Sequence, residues 1–125
     1  MYVLVADDNQ WICRTLRFFL LASELEAQII GEVDTAPLLL IRVAQVQPDL
    51  VLLDWELPGL PKSGGNQPFI AALRTCCPHL YIIGLSTNFV VGGVVLAAGA
   101  DAFVSKANPP DYLLRAVREA QLPIL

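Results

Sequence analysis

The sequence predicts an α/β fold in which five parallel strands form one sheet with helices on both faces. Three observations support this prediction. Five short apolar runs lie at residues 2–6, 28–33, 49–54, 81–86 and 102–105. Their hydrophobicity is continuous rather than alternating, which is typical of parallel strands buried on both faces. Longer stretches of helical character separate the runs, as right-handed strand–helix–strand crossovers require.

Capping signals predict the first two helices. Asn9 suits the N-cap of a helix over about residues 10–23. Its apolar face is formed by Ile12, Leu16, Phe19 and Leu20. Asp34 or Thr35 suits the N-cap of the second helix, which Pro48 ends.

Turn and proline signals predict the remaining three helices. A third helix is expected over about residues 68–75. Gly99 suits the C-terminal cap of a fourth helix, because glycine adopts a left-handed conformation readily. Asn108 followed by Pro109 marks the start of a fifth helix. A loop over residues 58–67 is rich in proline and glycine.

The predicted fourth helix has an unusual composition. Residues 89–95 combine two glycines with four valines, and both residue types form helices poorly. One interpretation is a helix that packing alone holds in place. The other is an element of low local stability whose exposed apolar face is covered by a partner.

Size and composition narrow the class of protein. A length of 125 residues suits one core, so we expect a single domain over residues 1–125. With 55% hydrophobic and 16% charged residues, disorder is not expected. A net charge of −4 argues against direct nucleic-acid binding. No apolar stretch suits a membrane span and the acidic residues at positions 7 and 8 argue against a signal peptide, so the expected location is cytoplasmic.

The three cysteines are expected to be free thiols. Cys13, Cys76 and Cys77 make an odd number, and no secretion signal precedes them. Cys76 and Cys77 lie near His79, which leaves a metal cluster as one interpretation. No fourth ligand stands at a familiar zinc spacing, so the alternative is a helix end followed by a surface loop.

Polar residues stand where the predicted strands end. Asp54 ends a fully apolar run, where a carboxylate is costly unless something pairs with it or uses it. Asp7 and Asp8 end the first run, and Lys106 follows the last. Ligands of open parallel sheets bind beyond the carboxyl ends of the strands, where the strand order reverses. In the flavodoxin-like order 2-1-3-4-5 the three aspartates would converge, and Ser86 and Lys106 would reach the same edge.

This set of side chains suits a divalent metal and a phosphoryl group. Two carboxylates about 4–5 Å apart repel by roughly 3–4 kcal/mol at an effective dielectric constant near 20, so three together favour a bound cation. Mg²⁺ takes a few carboxylates and keeps positions for water and phosphate oxygens. Asp54 can then act as a nucleophile and form an acyl phosphate, while Lys106 and Ser86 bind phosphoryl oxygens. A simple salt bridge to Asp54 is the structural alternative for Lys106.

Four ordered motifs resemble the receiver domain of two-component response regulators. They are Val5–Ala6–Asp7–Asp8–Asn9, Leu53–Asp54–Trp55–Glu56–Leu57–Pro58–Gly59, Leu85–Ser86–Thr87 and Gly99–Ala100–Asp101–Ala102–Phe103–Val104–Ser105–Lys106. Each motif alone is weak, whereas the ordered set spans essentially the whole chain and is highly specific. The resemblance implies the flavodoxin-like (CheY-like) fold and a phosphorylation switch.

The resemblance also implies a role for each acidic residue. Asp54 is the implied phosphoacceptor, which takes phosphate from a phosphohistidine of a sensor histidine kinase. Asp7 and Asp8 are implied ligands of Mg²⁺, together with Asp54 and the backbone carbonyl of Glu56.

Further roles are implied for residues around the phosphoryl group. Ser86 and Lys106 would bind its oxygens, and Ser86 and Phe103 would form the switch pair. Glu56 and Asn88 fall at variable positions that tune the lifetime of the acyl phosphate in the family. The signal would be read out on the face formed by the fourth helix, the fifth strand and the fifth helix.

The chain departs from the family pattern in two places. Ala107 follows Lys106, where the family often has a cis-proline. This resembles the NarL/LuxR-type subfamily, in which a helix-turn-helix domain follows the receiver. The loop over residues 61–66 is longer than usual, so access to Asp54 is expected to differ. A homodimer, and a downstream DNA-binding domain if the chain is a fragment, are the further partners that the resemblance implies.

Two alternative functions remain open at this point. The first alternative to a phosphorylation switch is an interaction module of the same fold that no longer uses phosphate. An aspartyl-phosphate hydrolase is the third reading, because Asp54–Trp55–Glu56 resembles the Asp-x-Asp motif of haloacid dehalogenases. That motif belongs on the first strand, so we do not expect a turnover enzyme.

Overall fold

The sheet has the predicted architecture. The computed structural model describes residues 1–61 and 66–122, except for the side chain of Trp11. Its parallel strands run in the order β2-β1-β3-β4-β5. They are β1 (Tyr2–Ala6), β2 (Gln28–Val33), β3 (Leu50–Asp54), β4 (Tyr81–Ser86) and β5 (Ala102–Ser105). The α/β fold class and the strand order expected from the sequence are therefore confirmed.

Helices connect successive strands. They are α1 (Gln10–Ala22), α2 (Ala36–Val46), α3 (Asn66–Cys76), α4 (Gly92–Ala97) and α5 (Pro110–Ala120), and a short 3-10 turn (Phe89–Val91) precedes α4. Asn9 caps α1 by accepting the Ile12 N–H at 3.4 Å. Of the two candidate caps for α2, Thr35 is the one whose side chain accepts a backbone N–H.

Two helix starts differ from the sequence prediction. Helix α3 begins at Asn66, two residues before the predicted start at residue 68. Because Asn66 is buried, tertiary packing extends the helix by two residues on the N-terminal side of Pro68. Helix α5 begins at Pro110, after Pro109 in the N-cap position and without a side-chain cap. Proline at the start of a helix suits this arrangement, because the missing N–H would have no partner within the helix.

Two apolar layers cover the two faces of the sheet. Leu50 and Leu52 of β3 pack with α1 and α5 on one face. Val51 and Leu53 pack with α2, α3 and α4 on the other. Every residue of β3 is buried, which explains its unbroken apolar sequence.

The α4 region is short and exposes apolar side chains. The 3-10 turn and α4 together cover only Phe89–Ala97. Phe89 is 76% exposed and Val90 is 71% exposed. Val94 and Leu96 are also exposed, whereas Val95 is fully buried against the sheet. The segment therefore has the exposed apolar face of the second interpretation, while its low local stability and its covering by a partner stay predictions.

Three further sequence expectations concern the long loop, the cysteines and membrane-spanning helices. Residues 62–65 of the long loop lie outside the described residues. Cys13, Cys76 and Cys77 are free thiols, as expected. Among the helices that the structure describes, none has the length and hydropathy needed to cross a bilayer.

Candidate functional site

Three strands bring an ion-pair network together at the carboxyl edge of the sheet. The Lys106 ammonium lies 2.6 Å from Asp7 Oδ2 and 3.2 Å from Asp54 Oδ1. The two carboxylates are almost fully shielded, with side-chain exposures of 1% for Asp7 and 5% for Asp54. Lys106 therefore makes the salt bridge to Asp54 that the structural alternative proposes, and a second one to Asp7.

Asp8 completes a group of three carboxylates. One carboxylate oxygen from each of Asp7, Asp8 and Asp54 lies within 4.8 Å of the other two. Asp8 is exposed, so the group opens to solvent on one side. Within residues 1–61 and 66–122, this is the only group of three or more acidic, His or Cys side chains with metal-site spacing. The described residues therefore form no metal cluster around Cys76 and Cys77, and Cys76 is instead the last residue of α3, as the alternative interpretation proposed.

Local turns fix the two buried aspartates. Asp7 Oδ1 accepts the Asn9 N–H at 2.9 Å, and Asp54 Oδ1 accepts the Glu56 N–H at 3.0 Å. Each is a side-chain-to-backbone bond over two residues, the pattern of an Asx-turn. The turn that ends the strand therefore also orients the carboxylate, which explains why aspartate stands at each strand end.

Burial and charge act in opposite directions on the pKa values here. Burial raises the pKa of Asp54, and this outweighs the lowering by the Glu56 N–H and by Lys106. The Glu56 side chain adds to the rise. Burial alone would lower the pKa of Lys106, but its hydrogen bond with Asp7 and the charge of Asp54 raise it. The lysine is thus held charged, whereas the raised pKa means that the Asp54 carboxylate takes up a proton more readily than an exposed aspartate.

Ser86 is placed at this edge, but its hydroxyl donates elsewhere. Ser86 Oγ donates to Glu56 Oε1 at 2.7 Å and accepts the Asn88 N–H at 3.0 Å. Ser86 is completely buried, whereas Glu56 is exposed. The sequence analysis did not predict the Glu56–Ser86 bond, because it joins side chains 30 residues apart. The sequence indicated only that β3 and β4 are neighbouring strands, which places Glu56 and Ser86 near the same edge of the sheet.

Phe103 connects the site to the α4 region. Its half-buried ring lies on β5, two residues before Ser105. A Cβ placed on Gly92 would lie 3.0 Å from this ring, so any larger residue there would require the ring to shift by a few tenths of an ångström. Asn88 begins the same region, and its Oδ1 accepts the Val90 N–H at 3.1 Å. The expected switch aromatic and the variable position Asn88 therefore both contact the exposed segment.

The donor set of the site suits a hard divalent cation. Three carboxylates face one ammonium, so negative charge remains in excess after Lys106 has paired. Carboxylate oxygens are the ligands that Mg²⁺ prefers, and the solvent-facing side at Asp8 leaves room for water ligands. Asp7, Asp8 and Asp54 are the residues that would hold such an ion.

Comparison with known proteins identifies the family. Residues 3–118 match the response regulator receiver domain. This chain belongs to that family. Receiver domains are signalling domains of two-component systems that bind Mg²⁺ at an acidic pocket, and a phosphoacceptor signalling role follows from membership. The family suspected from the four sequence motifs is thereby confirmed.

Two relatives and one solved structure illustrate the match. The chain is 31% identical over 117 residues to YhcZ of Bacillus subtilis, an uncharacterized transcriptional regulatory protein, across 92% of this chain and 52% of YhcZ. It is 32% identical over 120 residues to the transcriptional activator ExaE of Pseudomonas putida, across 94% and 54%. The isolated receiver domain of RcsB from Salmonella enterica has a TM-score of 0.82 at 25% identity, over 97% of this receiver and 88% of that chain.

The relatives are longer than this receiver. The chain spans about half the length of the curated relatives it matches, at 52% of YhcZ and 54% of ExaE. A signal receiver domain of the putative response regulator NarL from Mycobacterium tuberculosis and a LuxR-family response regulator from Staphylococcus aureus share its fold.

Proposed function

We propose that this receiver is a phosphorylation switch that accepts a phosphoryl group on Asp54 from a histidine kinase, with Mg²⁺ bound. The observation that carries the proposal is the placement of Asp54. This carboxylate is buried, belongs to a group of three acids and lies 3.2 Å from a lysine ammonium. Such a costly arrangement is expected where a charged ligand completes it.

The two oxygens of Asp54 have different surroundings. Oδ1 accepts the Glu56 N–H and pairs with Lys106. Because Oδ1 is already engaged by these two groups, we assign the other oxygen, Oδ2, as the nucleophile. Its attack forms an O–P bond as the N–P bond of the phosphohistidine breaks, and the departing imidazole nitrogen retains the bonding electron pair and takes up a proton.

Lys106 and the acidic residues would have different electrostatic roles, since the lysine would bind a phosphoryl oxygen and the acids would bind the metal ion. The ammonium already bridges Asp7 and Asp54, so it can move toward a phosphoryl oxygen without leaving the site. Asp7, Asp8, Asp54 and the backbone carbonyl of Glu56 would hold Mg²⁺. When bound, the ion neutralises charge on the phosphoryl oxygens. Phosphoryl transfer of this kind depends mainly on positioning and electrostatics.

The α4-β5-α5 face is proposed as the output surface. Phe89, Val90, Val94 and Leu96 are exposed on the α4 side, and Tyr112 is half exposed on α5. Ser86 would move its hydroxyl to the phosphoryl group, and Phe103 would repack against Gly92. Partner binding, including a homodimer or a downstream DNA-binding domain, would then change through this apolar surface. We propose that the phosphoryl transfer takes place in the cytoplasm and that a sensor histidine kinase is the donor. Residues 1–125 would form a single receiver domain.

The alternatives receive less support. An interaction module that has lost its chemistry would not need two buried carboxylates bridged by a lysine. The hydrolase reading requires its acid motif on the first strand, whereas Asp54 ends β3. One relative of 32% identity is a protein-glutamate methylesterase/protein-glutamine glutaminase from a Nocardioides species, of which this chain covers only 34%. We therefore propose a signalling domain without turnover of an external substrate.

Labelling with acetyl phosphate and Mg²⁺ tests the proposal. Intact-mass spectrometry should show one added phosphoryl group, and addition of EDTA beforehand should prevent it. Asp54→Asn should take up none, while Glu119→Gln, which changes an exposed carboxylate near the C-terminal end of α5, is the control and should label normally. Undiminished labelling of Asp54→Asn would refute the assignment. Multiple turnovers of a phosphate ester would favour the hydrolase instead.

A further inference from the structure

Glu56 contacts both the proposed phosphoacceptor and the serine of the switch. Its backbone N–H donates to Asp54 Oδ1 at 3.0 Å, and its carboxylate Oε1 accepts the Ser86 hydroxyl at 2.7 Å. The carboxylate is attached to an exposed residue, whereas the serine is completely buried. The side chain of an exposed residue thus holds a buried hydroxyl.

The Ser86 hydroxyl has one proton to donate. A serine hydroxyl is a single donor with two acceptor lone pairs. In this structure the proton is committed to Glu56, and the Asn88 N–H occupies one lone pair. A phosphoryl oxygen at Asp54 requires the same proton. Glu56 and the phosphoryl group therefore compete for one donor.

The same hydroxyl is linked to the exposed α4 region. Ser86 Oγ accepts the Asn88 N–H at 3.0 Å, and Asn88 Oδ1 accepts the Val90 N–H at 3.1 Å. Val90 lies in the 3-10 turn and is 71% exposed. A continuous chain of hydrogen bonds thus runs from Glu56 to the start of the proposed output surface.

We propose that Glu56 is a positioning residue that withholds the Ser86 proton from the phosphoryl site and stabilises the Asn88 turn in the unphosphorylated protein. Phosphorylation of Asp54 places negative charge beside the Glu56 carboxylate, and like charges repel. Because Glu56 is exposed, its side chain can leave into water at little cost. This inference rests on the proposed function for the phosphoryl competitor, and it extends the general lifetime-tuning role to a specific contact.

Two substitutions of Glu56 separate its hydrogen bond from its charge. Glu56→Ala removes the acceptor and the charge together. Glu56→Gln removes the charge but keeps an Oε1 acceptor of the same reach. Both keep the backbone N–H that binds Asp54 and the backbone carbonyl proposed as a metal ligand.

The first experiment needs neither Mg²⁺ nor phosphate. Amide hydrogen exchange is followed by NMR at Asn88 and Val90 in the wild type and both variants. Glu56→Ala should speed exchange at both amides by about threefold to tenfold, the range expected for one partly exposed hydrogen bond. Glu56→Gln should remain close to the wild type. Equal exchange in Glu56→Ala and the wild type would overturn the proposal.

The second experiment measures competition for the proton directly. Beryllium fluoride, a mimic of the phosphoryl group, is titrated with Mg²⁺ present while Trp55 fluorescence is recorded. Both variants lose the charge, but Glu56→Ala should bind about threefold to tenfold more tightly than Glu56→Gln, because no acceptor holds Ser86. The difference should vanish in the Ser86→Ala background, which has no hydroxyl to compete for.

The outcomes distinguish a failure of the role proposed for Glu56 from a failure of the proposed phosphoacceptor function. A difference between Glu56→Ala and Glu56→Gln that persists in the Ser86→Ala background would overturn the role of Glu56 as the holder of this proton. A wild type that binds no beryllium fluoride would contradict the proposed function instead. The exchange comparison would still decide whether Glu56 holds the serine, because it does not depend on phosphorylation.

Discussion

The carboxyl edge of the sheet and the α4 region lie next to each other but are held very differently. At the edge, Asp7 and Asp54 are buried, and each makes a hydrogen bond to its own turn and an ion pair with Lys106. In the α4 region, a 3-10 turn and a six-residue helix expose Phe89 and Val90. One region is fixed by charge and burial, whereas the other presents apolar side chains to solvent.

This difference suits a switch, because the two regions need opposite properties. A site that positions a metal and a phosphoryl group must be preorganised before they arrive. A surface that responds must have two arrangements of similar free energy, and a short helix with exposed apolar side chains suits this requirement. Phe103 and the Glu56–Ser86–Asn88 hydrogen bonds connect the two regions.

The largest expected effect is the loss of Lys106. Lys106→Met leaves two shielded carboxylates without their cation, so the metal-free protein should lose about 2–4 kcal/mol of unfolding free energy. Arg17→Met is the matched control, because its 3.5 Å pair with Glu32 lies on the surface and should cost under about 1 kcal/mol. Urea unfolding in EDTA measures both. Equal losses of unfolding free energy in the two variants would mean that the ion pairs of Lys106 stabilise the fold no more than the surface ion pair of Arg17 does.

The pH dependence of stability tests the burial of Asp54. Its folded pKa is raised, so between the ordinary carboxyl pKa and the folded value the native state binds more protons than the unfolded state. The contribution of Asp54 is therefore favourable at low pH and is lost as pH rises through the folded pKa. In EDTA, Asp54→Asn should stabilise the protein relative to wild type more at pH 7 than at pH 4. A difference independent of pH would contradict the raised pKa.

A smaller effect is expected in the α4 region, where two adjacent glycines have different surroundings. A Cβ on Gly93 would meet nothing within 4 Å, so Gly93→Ala should stabilise the helix by about 0.5–1 kcal/mol. A Cβ on Gly92 would press on the Phe103 ring, so Gly92→Ala should stabilise less or destabilise. Thermal unfolding compares the pair. Equal gains in both variants would show that Phe103 does not pack on α4 as described.

Much of the fold was predictable because it follows from local pattern. The runs at residues 2–6, 28–33, 81–86 and 102–105 coincide with strands, since β-type apolar runs between turn signals specify buried strands closely. The convergence of the three aspartates followed from their strand-end positions and the strand order. These features depend on where the strands end, which the sequence shows, and on the strand order expected for this class of fold.

The rest depended on side-chain geometry across the fold. The sequence does not show that Lys106 bridges Asp7 as well as Asp54, nor that Ser86 donates to Glu56, because both contacts depend on rotamers of residues distant in sequence. The early start of α3 at Asn66 likewise reflects burial rather than a capping signal. The split of the α4 region into a 3-10 turn and a short helix had only a compositional hint, in the glycines and valines.

Mg²⁺ binding followed by Trp55 fluorescence tests the central claim, that three carboxylates form one metal pocket, most directly. Trp55 adjoins Asp54, and Trp11→Phe leaves it as the only tryptophan of the two in the chain. In that background, Mg²⁺ should cause a saturable change that Asp8→Asn weakens by at least about tenfold, because a charged ligand is lost. Asp34→Asn, which removes an exposed carboxylate outside the group of three, is the control. Unchanged affinity in Asp8→Asn, or no response to Mg²⁺ at all, would contradict the account.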